Sequence, residues 1–221
     1  MKLAALTSGG KDSLFAIYKA NEQHETVCLI SLKPERDDSY MFHVPNIDLV
    51  QDISENMGLP LIAETSSGIK EKELEDLERA IKKAKEQYQI EGVVAGAIGS
   101  NYQYERVEKI CRKLHLEVIT PIWQMDEEEY MKELIKTFKV MIVEIAADGL
   151  DESWLGKTID ESVLNDLNEL NKKTGLNIAG EGGEYESFVL NCPLYQKEFQ
   201  VKTSEKRMEN ACTGNLLISL G

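Results

Sequence analysis

A run of six residues near the start of the chain combines side chains suited to binding phosphate. It comprises Ser8, Gly9, Gly10, Lys11, Asp12 and Ser13. Glycines let the backbone turn tightly and approach a ligand, and the unsatisfied N–H groups that open a helix favour an anion. Because Lys11 adds positive charge and the serines add hydroxyl groups, we expect phosphate or pyrophosphate binding here. The alternative is an ordinary strand–helix turn with a serine or aspartate cap.

A second run, Gly180–Glu186, holds three glycines and three carboxylates within seven residues, directly before an apolar stretch. If a strand begins near Glu184, Glu184 and Glu186 share one face and Tyr185 takes the other. Neighbouring carboxylates repel each other unless they hold a cation, accept hydrogen bonds from an amine or share a proton. The run therefore indicates a loop shaped around a ligand, with a solvated acidic turn as the alternative.

A third run, Gly96–Ser100, follows an inner predicted strand and is rich in small residues. In open α/β sheets, ligands bind at the carboxyl ends of the strands, and small residues there leave room for a flat ring or a ribose. Arg106 follows soon after and could reach a phosphate. From the residues alone, an ion pair of Arg106 with Glu105 or Glu108 is the favoured interpretation.

The elements that would position these runs alternate along the first two thirds of the chain. Apolar runs predict strands at 2–6, 26–32, 59–63, 92–96, 118–122 and 140–147, and helical spacing predicts helices at 12–22, 47–57, 70–89, 102–115 and 127–137. Such alternation predicts a parallel sheet with helices on both faces. After residue 148 we expect one helix, 160–173, and strands at 185–190, 198–202 and 216–220. These predict a smaller α+β unit, so we place two domains at 1–124 and 125–221.

Composition excludes several classes of protein. With 25 Lys and Arg against 39 Asp and Glu, the 221-residue chain has a net charge of −14, which disfavours a direct nucleic-acid partner and an anionic membrane surface. No apolar run approaches the roughly 18–20 residues of a membrane span. The cysteines form no C-x-x-C pair and are predicted to be reduced, mostly buried thiols of a cytoplasmic protein: Cys28, Cys111, Cys192 and Cys212. Cys111 falls in an apolar helix stripe and is expected in the core.

The first run matches the signature S-G-G-x-D-S, so the chain resembles the PP-loop, or N-type, ATP pyrophosphatases. More narrowly, it resembles the diphthine–ammonia ligase family over nearly its whole length. The points of likeness are Ser8–Ser13, Met41–Asn46, Gly96–Ile98, Tyr102–Gln103, Arg106–Glu108, Pro121–Trp123, Gly149–Leu150, Leu155–Gly156 and Gly180–Glu186. The departures are mild: Gly99, Lys157 and Ser187 stand where the family often has Ser, Arg and Thr.

The resemblance implies a fold like that of the adenine nucleotide alpha-hydrolases, which is Rossmann-like. It implies amidation of diphthine on translation elongation factor 2 to diphthamide, with ammonium and ATP as substrates. The reaction would pass through an acyl-adenylate and release AMP and pyrophosphate. The resemblance also implies Mg²⁺, with Asp12 as its ligand. The implied ATP-binding residues are Ser8, Gly9, Gly10, Lys11, Asp12, Ser13, Ser31, Leu32, Gly96, Ala97, Ile98 and Arg106.

The resemblance further implies that the acidic run faces the second substrate. The expected substrate-binding residues are His43, Tyr102, Gln103, Glu181, Gly182, Gly183, Glu184, Tyr185 and Glu186, and the expected catalytic residues are Lys11, Asp12, Glu184 and Glu186. The glutamates would hold the trimethylammonio group or accept a proton from ammonium, and both roles stay open. Tyr185 or Trp123 could add cation–π attraction, and loop 33–46 with His43 could close over the site.

Other functions remain open at this level. A PP-loop enzyme that modifies tRNA is disfavoured by the charge of −14 and by the lack of a C-x-x-C pair. A related amide synthetase acting on a small-molecule carboxylate is the closer rival, and a non-catalytic ATP-binding module is another. The sequence does not fix the oligomeric state, with a homo-oligomer among the options.

Overall fold

The computed structural model describes residues 1–34, 46–66, 72–99 and 101–221. The chain divides into two compact units, Met1–Trp123 and Gln124–Gly221. Each unit contains its own sheet, one with five strands and one with four.

The N-terminal unit is a parallel α/β sheet. Its elements are β1 (Lys2–Leu6), α1 (Lys11–Ala20), β2 (Glu25–Pro34), a 3₁₀ helix (Ile47–Leu49), α2 (Val50–Met57), β3 (Leu61–Ser66), α3 (Lys72–Tyr88), β4 (Gly92–Val94), α4 (Asn101–Lys113) and β5 (Glu117–Ile119). The strand order is β3-β2-β1-β4-β5, and all four neighbouring pairs are parallel. The chain thus runs outward from β1 to β3 and then crosses to the other side of β1. This confirms the predicted fold class.

The core of this unit explains why its inner strands are almost continuously apolar. Leu3, Ala4 and Ala5 on β1 are fully buried, as expected for a parallel strand covered by helices on both faces. Cys28 and Cys111 lie in the same apolar cluster, and burial raises the pKa of each thiol to about 12. The prediction that Cys111 is a core residue is confirmed.

The C-terminal unit contains α5 (Glu127–Thr137), β6 (Lys139–Ala146), a 3₁₀ helix (Glu152–Trp154), α6 (Glu161–Thr174), β7 (Tyr185–Asn191), β8 (Val201–Met208) and β9 (Thr213–Leu220). Its sheet has the order β7-β6-β9-β8 and is antiparallel throughout. Both helices start at an aspartate that caps a backbone N–H group: Asp126 accepts from Glu129, and Asp160 accepts from Val163. Such caps fix where a helix begins.

Two predictions about strands need correction. The alternation through residue 147 suggested that β6 continues the parallel sheet, but β6 pairs antiparallel with β7 and β9. The strand expected at 198–202 begins at Val201 and runs to Met208. Its residues are exposed except for the last, because β8 is an edge strand that pairs only with β9. Apolar periodicity cannot reveal such a strand, and charged side chains are usual on exposed edges.

No helix in the described ranges is both long enough and apolar enough to cross a membrane.

Candidate functional site

The first run forms the link between β1 and α1, as predicted. Gly9 has a left-handed backbone, with φ of +87°, which favours glycine. A Cβ atom at Gly9 would also stand 2.8 Å from Cδ1 of Ile53. Gly10 is the N-cap of α1 and has no side-chain oxygen to accept the N–H groups of the first turn. No side chain therefore caps the first turn of α1, and the N-terminus of a helix is a position that favours phosphate.

Hydroxyl groups hold this loop in shape. The hydroxyl of Thr7 accepts the Gly9 N–H at 3.0 Å and lies 2.8 Å from the hydroxyl of Ser13. Ser13 donates its hydrogen to the Gly10 carbonyl at 3.0 Å, so Thr7 is the donor in the bond between the two hydroxyls. Thr7 was not identified from the sequence, because it lies just before the recognised run. Its position directly after a predicted strand could have indicated a role in the loop.

Lys11 and Asp12 form an ion pair within the loop. The Lys11 ammonium lies 2.9 and 3.0 Å from the two carboxylate oxygens of Asp12. The Lys11 side chain is 2% exposed and that of Asp12 is 35% exposed. The cation is thus enclosed while the carboxylate reaches solvent, which leaves the carboxylate accessible to a further cation.

The third run meets the first one in space. A Cβ atom at Gly96 would stand 2.6 Å from the Ser13 nitrogen and 2.7 Å from the Asp12 carbonyl carbon. Only glycine lets the chain leaving β4 pass this close to the backbone of α1. Since β4 and β2 lie on opposite sides of β1, this contact lies where the strand order reverses, which is the usual ligand position in such sheets.

The other residues predicted to bind ATP vary in exposure. Ser31 and Leu32 lie inside β2 and are 6% and 4% exposed, and Ala97 and Ile98 are also buried. Arg106 is half-buried on α4. Of the predicted substrate-binding residues, His43 lies outside the described residues, and Tyr102 and Gln103 lie in the first turn of α4 with side chains that are not described. Trp123 stacks on Tyr104, with ring centroids 4.9 Å apart.

In the C-terminal unit, Tyr185 anchors the acidic run. Tyr185 is the first residue of β7 and is 2% exposed. Its hydroxyl donates to the Ile178 carbonyl at 2.7 Å. Gly180 has φ of +71°, and a Cβ atom there would stand 2.9 Å from the Tyr185 ring. The Tyr185 ring is buried within this unit, and its contacts with Ile178 and Gly180 hold the loop in place.

The carboxylate of Glu184 folds back over the loop. Glu184 precedes β7, and its Oε1 accepts the Asn177 N–H at 3.1 Å. Its Oε2 is buried and has no hydrogen-bond partner among the described residues. A Cβ atom at Gly182 would stand 2.8 Å from Oε1. The predicted strand began near Glu184, with Glu184 and Glu186 on one face; β7 begins one residue later, at Tyr185, and the Glu184 carboxylate accepts the Asn177 N–H instead of lying on the strand.

Glu186 has an acidic neighbour that sequence analysis missed. It is half-buried on β7 and lies directly opposite Glu144 of β6. Like charges at such positions repel. Glu181 is also half-buried, and its N–H lies 3.4 Å from Oδ1 of Asn177. The signal for Glu144 was a lone charge in an apolar strand, but its partner strand could not be identified from the sequence.

Two family models match the chain. Diphthamide synthase N-terminal domain matches residues 1–118, and Diphthamide synthase C-terminal domain matches residues 126–219. The chain belongs to the diphthamide synthase family. The recognition made from the motifs is therefore confirmed, and the two matches fall on the two compact units.

Curated relatives of this family member are named diphthine–ammonia ligase. The protein of Rattus norvegicus is 39% identical, over 96% of this chain and 86% of its own length. The protein of Homo sapiens is 38% identical with the same coverage. The protein of Schizosaccharomyces pombe is 36% identical over 93% of this chain, which spans 37% of that longer protein.

Solved structures give weaker likenesses. A predicted subunit of tRNA methyltransferase from Methanocaldococcus jannaschii has a TM-score of 0.46 and 16% identity, covering 90% of this chain and 99% of that one. The U34-tRNA thiolase NcsA from Methanococcus maripaludis has a TM-score of 0.40 and 15% identity, covering 83% and 70%. At these scores neither likeness supports a conclusion about activity.

Asp12 is the residue that the sequence analysis expected to bind magnesium, and its surroundings allow that role to be tested against the structure. The described residues contain no group of three or more His, Cys, Asp or Glu that could hold a metal by themselves. Mg²⁺ in nucleotide sites needs only one or two carboxylates, because phosphates and waters complete its shell. The part-exposed carboxylate of Asp12, beside the start of α1, has the chemistry for that single protein ligand.

Proposed function

We propose that this family member amidates diphthine on translation elongation factor 2, using ATP and ammonium, and produces diphthamide, AMP and pyrophosphate. The curated relatives of matching length carry the name of this activity. The observation that carries the proposal is the contact between Gly96 and the first turn of α1, which brings two predicted ATP-binding runs together at the strand reversal.

The N-terminal unit, with the domain range 1–124, is proposed to bind ATP. The β- and γ-phosphates accept hydrogen bonds from N–H groups of the Ser8–Ser13 loop and of the start of α1, and Lys11 contributes the positive charge. Asp12 would hold Mg²⁺, which neutralises phosphate charge when it is bound. The adenosine is framed by Ser31, Leu32, Gly96, Ala97 and Ile98, with Arg106 on the phosphates.

The Ser8–Ser13 loop is proposed to promote the reaction by positioning ATP and by stabilising negative charge. An oxygen of the diphthine carboxylate attacks the α-phosphorus, and pyrophosphate leaves with the bonding electrons. Negative charge grows on the departing pyrophosphate, and donors fixed before the reaction stabilise it without reorganisation. Ammonia then attacks the acyl carbon, and AMP leaves with the carboxylate oxygen.

The C-terminal unit, with the domain range 125–221, is proposed to bind the second substrate. Glu184 and Glu186 act in the amidation, and Glu181 contributes acidic charge. Gly182, Gly183 and Tyr185 shape the loop that carries them, and His43, Tyr102 and Gln103 of the N-terminal unit are proposed to contact the acceptor. The protein is proposed to work in the cytoplasm, where elongation factor 2 is found.

Purified protein tests this function directly. It is incubated with ATP, magnesium, ammonium and elongation factor 2 that carries diphthine, and AMP and the modified histidine peptide are measured by mass spectrometry. We expect one AMP for each amide formed. AMP release with a free carboxylate but not with the elongation factor would favour the small-molecule synthetase. ATP binding without AMP release would favour the non-catalytic module.

A further inference from the structure

The two carboxylate oxygens of Glu184 differ in their hydrogen bonding. Its Oε1 accepts the Asn177 N–H, whereas its Oε2 is buried without a hydrogen-bond partner among the described residues. Leaving a buried acceptor unsatisfied costs free energy, and native proteins rarely do so. A donor from a bound molecule is the natural partner for this oxygen.

Asn177 holds the whole loop around this carboxylate. Its Oδ1 accepts the Ala179 N–H at 2.8 Å, and its carbonyl accepts the Gly180 N–H at 3.0 Å. Its Nδ2 donates to Oε1 of Glu127, on the first turn of α5, at 2.6 Å. One side chain thereby ties the loop to a helix while its backbone orients Glu184.

We propose that Oε2 of Glu184 accepts an N–H hydrogen bond from ammonium or ammonia, and that Asn177 is the positioning residue that presents this oxygen. The inference rests on the proposed function and chooses between the two roles left open for the acidic run. A quaternary ammonium has no N–H group, so it cannot satisfy a buried acceptor. Ammonium is small and carries donors only, and a carboxylate is its strongest type of acceptor.

The surroundings of the loop favour the same choice. Recognition of a quaternary ammonium usually uses the open face of an aromatic ring. Tyr185, the aromatic residue of this run, is 2% exposed and directs its hydroxyl to Ile178. The Glu184 carboxylate instead lies against Gly182, where a side chain would press on both of its oxygens, at 2.8 and 3.1 Å from the Cβ atom.

The test is a set of Michaelis constants for ammonium, ATP and diphthine-bearing elongation factor 2. In Glu184→Gln, the amide oxygen keeps the Asn177 bond and the NH₂ group takes the place of Oε2. Because NH₂ cannot accept a hydrogen bond, we expect the ammonium constant to rise roughly ten- to hundred-fold. The constants for ATP and the acceptor should stay unchanged. Glu129→Gln, an exposed position on α5, is the charge-matched control and should behave as wild type.

Asn177 is tested by exchanging its hydrogen-bond partners. Asn177→Asp keeps the acceptor for the Ala179 N–H but places two carboxylates together at Glu127, so the ammonium constant should rise. Adding Glu127→Gln restores that hydrogen bond with donor and acceptor exchanged, and should return the ammonium constant toward wild type. A merely structural role would change turnover and the constants for all three substrates together.

Gly182→Ala provides a second variant that does not alter the carboxylate itself. The backbone at Gly182 is not left-handed, so alanine acts there only by displacing Glu184, and the ammonium constant should again rise selectively. A rise in the acceptor constant with an unchanged ammonium constant, in Glu184→Gln or in Gly182→Ala, would overturn the inference and leave the proposed function intact. Absence of both AMP and amide with wild-type protein would overturn the proposed function.

Discussion

The loops Ser8–Ser13 and Gly180–Glu184 are both rich in glycine, but they differ in their charged side chains and in the hydrogen bonds of their backbones. The first ends at the start of α1, where the N-cap is Gly10 and no side chain caps the first turn. The second uses its N–H groups internally, because Gly180 donates to Asn177 and Gly183 donates to Gly180. The first loop is therefore suited to an anion and the second, through its carboxylates, to a cation or an N–H donor. Glycine content alone does not reveal what a loop binds.

The largest effect is expected when the backbone of the first loop is disturbed. In Gly9→Ala, the φ of +87° should cost about 1–2 kcal/mol of stability, and the displaced loop should lower amidation about a hundred-fold. The measurements are thermal unfolding and initial rates of AMP release. Gly58→Ala at the C-cap of α2, with φ of +68°, is the matched control. An equal loss of rate in the control would show that the effect is general destabilisation.

Removing the buried cation should have the next largest effect. Lys11→Ala takes away the ammonium that now pairs with Asp12, and we expect the Michaelis constant for ATP to rise roughly ten- to hundred-fold. Lys19→Ala, in the last turn of the same helix, is expected to leave that constant unchanged. An unchanged ATP constant and turnover in Lys11→Ala would remove the first loop from the site.

A smaller effect is expected from the hydroxyl network. Thr7→Val removes the acceptor for the Gly9 N–H and the bond to Ser13, and should raise the ATP constant roughly three- to ten-fold. Thr7→Ser keeps the hydroxyl and should resemble wild type. If valine and serine behave alike, the network does not shape the loop.

Labelling the folded protein with a thiol reagent should leave the rate of amidation unchanged. Burial raises the pKa of Cys28, Cys111 and Cys192 to about 12, so these thiols stay protonated near pH 8 and should not react in the folded protein. Cys212 is half-buried and should be the thiol that is labelled. Labelling of a second cysteine without denaturant would show that one of the two cores opens readily. Amidation should be unchanged in Cys212→Ser.

The sequence predicted local structure well and contacts between distant segments poorly. The helix expected at 127–137 has those bounds in the structure, because its apolar spacing and its aspartate cap are local signals. The contact of Gly96 with α1 depends on the strand order, which no local pattern encodes. Asn177 lies outside the acidic run, and its role appears only when the chain folds back from Glu184. The edge strand β8 has no apolar face, so only its pairing with β9 defines it.

Isotope transfer tests the central claim most directly. Elongation factor 2 carrying ¹⁸O in the diphthine carboxylate is incubated with the protein, ATP and ammonium, and the released AMP is analysed by mass spectrometry. Amidation through an acyl-adenylate leaves one carboxylate oxygen on AMP, so AMP should carry a single ¹⁸O atom. Unlabelled AMP, or label in inorganic phosphate together with ADP, would contradict the account.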